Sequence, residues 1–133
     1  MIDPAPTRAA DLVLVVEDEP MTAMLLAQAV KDRGLDVVGP HRDANTARAA
    51  VEKGGLAAAL LDVSLDAGET SAPVADALAA AGVPFAFVTG YGTETAQVVR
   101  AHPERLVIPK PVDRETLGIL LDELLPAGIG SGA

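Results

Sequence analysis

Residues 12–20 read LVLVVEDEP, an uninterrupted apolar run that ends in three acidic residues and a proline. A short run of this kind, rich in valine, is typical of a strand that is buried on both faces of a parallel sheet. Pro20 suits the first turn of a helix, where a missing N–H costs no hydrogen bond. The stretch therefore predicts a buried strand, an acidic turn and the start of a helix.

The same arrangement recurs along the chain, because three further apolar runs also end in a polar group. They are residues 57–61 before Asp62, residues 85–88 before Thr89, and residues 106–108 before Lys110, which lies between two prolines. Residues 35–38 are predicted to form a shorter second strand that Gly39 and Pro40 close. Strands that alternate with amphipathic stretches predict an α/β fold, a doubly wound parallel sheet of five strands with helices on both faces.

Capping residues and glycines mark the ends of the predicted helices. The helices are predicted over residues 21–33, from Asp43 or Asn45 to residue 51, over residues 73–81, around residues 95–101, and from Asp113 to residue 125. An aspartate or asparagine before a helix accepts hydrogen bonds from its first free N–H groups, and a glycine after a helix ends it.

Length and composition bound the class of protein. A chain of 133 residues, half of them apolar, is long enough for one domain with its own core. We expect this domain over residues 12–125, between a flexible Pro- and Ala-rich lead (residues 1–11) and a flexible Gly-rich tail (residues 126–133). The absence of cysteine excludes disulfides and thiolate metal sites.

Charge and hydropathy indicate which partners to expect. The net charge of −9 argues against a nucleic-acid surface, which needs clustered lysine and arginine. The sequence has no apolar stretch long enough to cross a bilayer, and its N-terminus does not resemble a secretory signal. We therefore expect a cytoplasmic protein that binds neither nucleic acid nor membrane.

The polar residues that end the strands predict a site for phosphoryl chemistry. Ligands of such sheets bind beyond the carboxyl ends of the strands, so Glu17, Asp18, Asp62, Thr89 and Lys110 are expected to converge there. The three carboxylates can hold a hard cation such as Mg²⁺, and Asp62 can act as a nucleophile towards phosphorus. Taken singly, each residue also has an ordinary structural interpretation: a solvated acidic loop, a loop cap, a strand end or a solvent-exposed lysine.

Taken together, these residues resemble the receiver domain of two-component response regulators over roughly residues 11–125. The matching segments are Val15–Pro20, Leu60–Ser64, Val88–Gly90 and Ile108–Pro111. The resemblance implies the flavodoxin-like (CheY-like) strand order 2-1-3-4-5, and it implies that a histidine kinase or a phosphotransfer protein phosphorylates Asp62.

The resemblance also implies a role for each residue of the site. Asp18 would bind Mg²⁺ directly, Glu17 through water, and Ser64 through its backbone carbonyl. Thr89 and Lys110 would contact the phosphoryl oxygens, and the bond between Lys110 and Pro111 would be cis, as is typical of the family.

A narrower resemblance lies in residues 84–92, PFAFVTGYG. This segment is similar to the motif of the FATGUY receivers, single-domain regulators that are often tied to kinases of the HWE or HisKA2 type, with Val88 in place of an alanine. Most receivers carry a tyrosine or phenylalanine at the position of Val107. In those receivers the aromatic side chain swings inward when the threonine at the position of Thr89 contacts the phosphoryl group. Without it, we consider two roles for Tyr91: gating the site, or packing over its loop.

The preferred function is a phosphoacceptor for signalling rather than an enzyme, acting by protein–protein contact or as a phosphate sink. One alternative is a receiver-like module that binds partners without phosphorylation. Another is a small phosphatase with an aspartyl nucleophile, but such enzymes of the haloacid-dehalogenase type carry a second aspartate where Ser64 lies. We expect His41 and His102 to be surface residues, and Asp66 and Glu69 to be solvated or to influence partner choice.

Overall fold

The computed structural model describes residues 12–90 and 92–125. Its five strands are β1 Leu12–Val16, β2 Asp36–His41, β3 Leu56–Leu61, β4 Phe85–Thr89 and β5 Leu106–Pro109. They pair in parallel in the order β2-β1-β3-β4-β5. The predicted doubly wound sheet and its strand order are confirmed.

Five helices connect and follow the strands in the described ranges. They are α1 Pro20–Asp32, α2 Ala44–Lys53, α3 Ala72–Ala81, α4 Thr93–Arg100 and α5 Arg114–Leu124, with a 3₁₀ turn at Asp66–Gly68. Asp43 caps α2 and Asp113 caps α5, since their side chains accept hydrogen bonds from Thr46 N at 2.8 Å and Thr116 N at 2.7 Å. Among the described residues, no helix is both long and apolar enough to cross a membrane.

The two faces of the sheet bury separate apolar layers. Val13 and Val15 of β1 contribute to the layer under α1 and α5, whereas Leu14 and Val16 contribute to the layer under α2, α3 and α4. Full burial of each such side chain stabilises the fold by roughly 1.5–3 kcal/mol. Because β1 is buried on both faces, the backbone that leads into the acidic turn is held firmly.

Strand β2 is longer than the sequence predicts. Leu14 pairs with Val38, and after a shift in register Val16 pairs with His41, so the strand runs through Gly39 and Pro40 instead of ending there. An edge strand tolerates proline because one side of its backbone needs no partner strand. Gly39, at φ +105°, adopts a backbone conformation that glycine adopts more readily than other residues.

His102 lies in the apolar layer, so the prediction that it is a surface residue is wrong. His102 is only 8% exposed. Its ring packs edge-on against the ring of Phe85, with the ring centroids 5.4 Å apart. Its Nε2 lies 3.1 Å from Oδ1 of Asp76 at the rim of the layer. The ring thus has an apolar body inside and a polar partner outside, while His41 is half-buried at the end of β2.

The predicted lead over residues 1–11 and the predicted tail over residues 126–133 lie outside the described residues. Their flexibility, and with it the predicted domain boundaries, stays a prediction.

Candidate functional site

The carboxyl ends of four neighbouring strands bring the predicted site residues to one edge of the sheet. Thr89 pairs with Pro109 across β4 and β5, which places Lys110 next to Thr89. The backbone N–H of Asp62 donates to the carbonyl of Val16 at 2.9 Å, so Asp62 lies beside the acidic turn. Asp62 is 5% exposed and forms the floor of the site.

Both carboxylate oxygens of Asp62 have a partner. Thr89 Oγ1 donates to Oδ1 at 2.8 Å, and Lys110 Nζ donates to Oδ2 at 2.9 Å. The N–H of Val63 reaches the Thr89 hydroxyl oxygen at 3.4 Å. These contacts fix the orientation of the carboxylate, and they bring together the three residues that the sequence predicted to act on a phosphoryl group.

Lys110 bridges two acidic side chains. Its Nζ lies 2.8 Å from Oε1 of Glu17 and 2.9 Å from Asp62, and its backbone N–H donates to the Thr89 carbonyl at 3.0 Å. The peptide bond between Lys110 and Pro111 is cis, as the family resemblance implied. Burial alone would lower the pKa of Lys110, but its close contacts with the carboxylates of Glu17 and Asp62 outweigh burial and raise it. Lys110 therefore stays cationic.

Glu17 is a fully buried carboxylate. Its Oε2 accepts the N–H of Glu19 at 3.1 Å. Among the described residues, no hydrogen bond of good geometry reaches Oε1, so its contact with Lys110 is an ion pair. Burial raises the pKa of Glu17 to about 7, although its contacts with Lys110 and the Glu19 N–H act in the opposite direction. Both oxygens of this buried carboxylate therefore have a partner, the Glu19 N–H for Oε2 and the Lys110 ammonium for Oε1.

The acidic group fits a divalent cation. One carboxylate oxygen from each of Glu17, Asp18 and Asp62 lies within 4.8 Å of the others. Burial first, and then a hydrogen bond with the Asp66 side chain, raise the pKa of Asp18 above its ordinary value. A hard cation with oxygen ligands relieves the mutual repulsion of these crowded carboxylates.

Three predicted residues are less well defined by the structure. Ser64 forms an isolated bridge with Thr70 that closes the loop after Asp62, and the role of its carbonyl as a metal ligand stays a prediction. Val107 is 41% exposed on the edge strand β5. Tyr91 lies outside the described residues, so both interpretations of it stay open.

A cavity of about 220 Å³ lies beside Thr89, between the sheet edge and α4. Its lining includes Gly90, Ala96, Val99 and Val107. These side chains are small, and Val107 lies where most receivers carry an aromatic residue. A switching role for Val107 stays a prediction.

Arg42 is a residue near the site that the sequence did not single out. Its Nη2 lies 3.1 Å from Oδ2 of Asp66, and the Glu69 side chain accepts the N–H of Ala44 at 3.4 Å. Both contacts join the loop after Asp62 to the start of α2. The partners are 24 and 25 residues apart in sequence, so no local pattern could have revealed them.

An acidic pair follows β1, a buried aspartate follows β3, a hydroxyl ends β4 and a lysine follows β5. On this sheet, that order defines the class of response regulator receiver domains. No protein-family model and no curated protein matches the chain. Solved structures do match it, and the chain belongs to the receiver-domain family of the response regulators of two-component signalling.

The most informative matches are of single receiver domains. SdrG from Sphingomonas melonis Fr1 is 40% identical with a TM-score of 0.75, over 87% of this chain and 97% of SdrG. SdrG from Pseudomonas melonis Fr1, in a conformation activated by BeF₃, is 38% identical with a TM-score of 0.69, over 91% of this chain and all of SdrG (100%). The PhyR receiver domain of Erythrobacter litoralis is 26% identical with a TM-score of 0.72, over 86% and 88% of the two chains.

Proposed function

We propose that this domain accepts a phosphoryl group on Asp62 from a phosphohistidine of a histidine kinase or of a phosphotransfer protein. One observation carries the proposal: the buried carboxylate of Asp62 is held between the Thr89 hydroxyl at 2.8 Å and the Lys110 ammonium at 2.9 Å, next to an acidic group that fits a cation. These are the groups that phosphoryl transfer to a carboxylate requires.

In the proposed reaction, a carboxylate oxygen of Asp62 forms the new bond to phosphorus as the phosphorus–nitrogen bond of the donor breaks. The bonding electron pair leaves with the imidazole nitrogen of the donor. Lys110 and Thr89, which contact the Asp62 oxygens beforehand, then contact oxygens of the phosphoryl group. A preorganised cation and hydroxyl stabilise the developing charge without the cost of reorganising water.

The acidic residues would hold Mg²⁺ in this proposal. Asp18 and Asp62 would bind it directly, Glu17 through a water molecule, and Ser64 through its backbone carbonyl. The cation supplies positive charge that offsets the repulsion between an incoming phosphoryl group and the carboxylates. The burial of Glu17 and the spacing of the three carboxylates support this assignment.

The kinase partner is proposed to be of the HWE or HisKA2 type, because residues 84–92 are similar to the FATGUY motif. The output is proposed to be protein–protein contact through α4, β5 and α5, or buffering of phosphoryl groups, in the cytoplasm. The exposed Leu106 and Val107 of β5 support a contact surface there. Phosphotransfer from a panel of kinases of both types would test the choice of partner.

Beryllofluoride with Mg²⁺ tests whether Asp62 is the acceptor, and SdrG has been solved in a BeF₃-activated conformation. We expect amide NMR shifts around Asp62, Thr89 and Lys110 in the wild type and none in Asp62→Ala. Asp36→Ala, which removes an exposed carboxylate from β2, should respond as the wild type does. Unchanged spectra in the wild type would contradict the proposal and favour a module that acts without phosphorylation.

A further inference from the structure

A second cavity, of about 650 Å³, lies as a groove between α2 and the edge strand β2. Its walls are mostly apolar, and they are formed by Leu12, Val38 and Leu56 of the sheet and by Ala49 and Ala50 of α2. The three sheet residues are only half-buried, so part of their apolar surface faces the groove. The groove shares no residue with the candidate functional site.

The small side chains of α2 leave the groove open. Ala49 and Ala50 present only methyl groups, which do not fill the space between the helix and the strand. Protein interiors are closely packed, with few voids larger than a water molecule. Sites for small ligands, in contrast, typically measure about 300–1,000 Å³ and have apolar walls with a few polar groups. The groove has the size and the lining of a ligand site.

The polar groups lie at the two ends of the groove. Lys53 lines it at the end of α2, and His41 and Thr46 line it near the start of α2. The described residues of the lining include no acidic side chain, although the chain has 19 acidic residues against 10 lysines and arginines. Glu52, the neighbour of Lys53 in sequence, pairs with Arg48 at 3.7 Å. The charge that Lys53 brings to the groove therefore favours an anion.

We propose that this groove binds a small amphipathic anion, with its acidic group at Lys53 and its apolar tail along Val38 and Leu56. Thr46 and Gly54 line the groove eight positions apart on α2. At 1.5 Å per residue, the groove is thus about 12 Å long. A tail of this length would take the half-buried wall out of water, and burial of its methylene groups would supply most of the affinity. The proposal does not depend on the phosphorylation of Asp62.

Titration with decanoate, below the concentration at which it forms micelles, tests the proposal through amide NMR shifts. We expect saturable shifts at the lining residues of the wild type. Lys53→Gln should bind decanoate about two- to five-fold more weakly, because an exposed ion pair contributes modestly. It should bind decanol, a neutral molecule with a tail of the same length, as the wild type does. Lys31→Gln changes the net charge equally on exposed α1 and should bind both molecules normally.

A larger side chain in the groove tests the site independently of charge. Ala49→Leu should weaken the binding of both molecules by about ten-fold or more, because it occupies space that the tail needs. Ala80→Leu, an exposed change on α3, should have no effect.

Three results would overturn the proposal: a wild type without saturable shifts, shifts centred on another surface, or an Ala49→Leu protein that binds normally. Shifts at the groove that rise with protein concentration alone would show that a second copy covers it, and would also overturn the proposal. Equal affinity of the wild type and Lys53→Gln for decanoate would overturn the assignment of the anion to Lys53.

Discussion

At the scale of single residues, the site is a balance between buried carboxylates and one ammonium group. Glu17 has lost all contact with solvent and lies near the charge of Asp62, and both effects raise its pKa. Lys110 contacts both carboxylates and offsets part of this cost. A buried charge whose pairing is incomplete is unfavourable, so the metal-free site costs the fold stability.

Glu17→Gln is therefore expected to stabilise the protein in Mg²⁺-free buffer near pH 8, by about 1–3 kcal/mol in the free energy of unfolding. The pKa of Glu17 is about 7 in the folded state against an ordinary value of 4.5, so the folded protein binds a proton more tightly than the unfolded chain. The stabilisation of the fold by this tighter proton binding is complete below pH 4.5, and it is lost as pH rises through about 7. The advantage of the variant should thus shrink as pH falls from 8 to 5.

Urea unfolding at several pH values, with a chelator present, measures this difference. Glu115→Gln, an exposed change on α5, serves as the control and should show no such pH-dependent gain. A Glu17→Gln protein that is less stable than the wild type at pH 8 would show that the ion pair with Lys110 outweighs the burial of Glu17.

At the scale of elements, α1 and α5 are joined by a contact that depends on a glycine. Arg33, at the end of α1, makes two hydrogen bonds of 3.0 Å to the carboxylate of Asp122 on α5. Its guanidinium crosses Gly118, where an added Cβ would lie 2.6 Å from Nη2 of Arg33. The absence of a side chain at Gly118 leaves room for this crossing.

Gly118→Ala is expected to leave stability unchanged or to raise it by up to about 1 kcal/mol. Alanine favours a helix interior by roughly 1 kcal/mol over glycine, while the exposed ion pair that it displaces is worth about 0–1 kcal/mol. The clashing atom is the free end of a flexible side chain, so Arg33 can move. Thermal unfolding, with Arg33→Ala as a reference for the lost pair, measures the outcome, and a clear drop below that reference would contradict it.

The extent of prediction from sequence differs between central and edge elements. The fully apolar runs that became β1, β3 and β4 predicted central strands, because burial on both faces leaves no polar positions. Strand β2 was predicted too short, since Gly39 and Pro40 usually end strands but are accepted at an edge. His102 was misplaced because its partners Phe85 and Asp76 are distant in sequence, and only the packed layers bring them together.

At the scale of the whole molecule, the strand order decides where the chemistry lies. The carboxyl ends of β1, β3, β4 and β5 adjoin one another, so residues nearly a hundred positions apart in sequence form one crevice. Glu17, Asp62, Thr89 and Lys110 were predictable because each directly follows or ends a strand. Arg42 and Asp66 were not recognised as a pair, because loops that meet only in the folded protein leave no periodic signal in the sequence.

Chemical phosphorylation shows whether Asp62 is the residue that receives the phosphoryl group. The protein is incubated with acetyl phosphate and Mg²⁺, its intact mass is measured, and the modified residue is located by borohydride reduction and peptide mapping. We expect a single phosphoryl group on Asp62 in the wild type and in Asp36→Asn, and none in Asp62→Asn. A wild type that gains no phosphoryl group, or gains it on another residue, would show that Asp62 is not the phosphoacceptor.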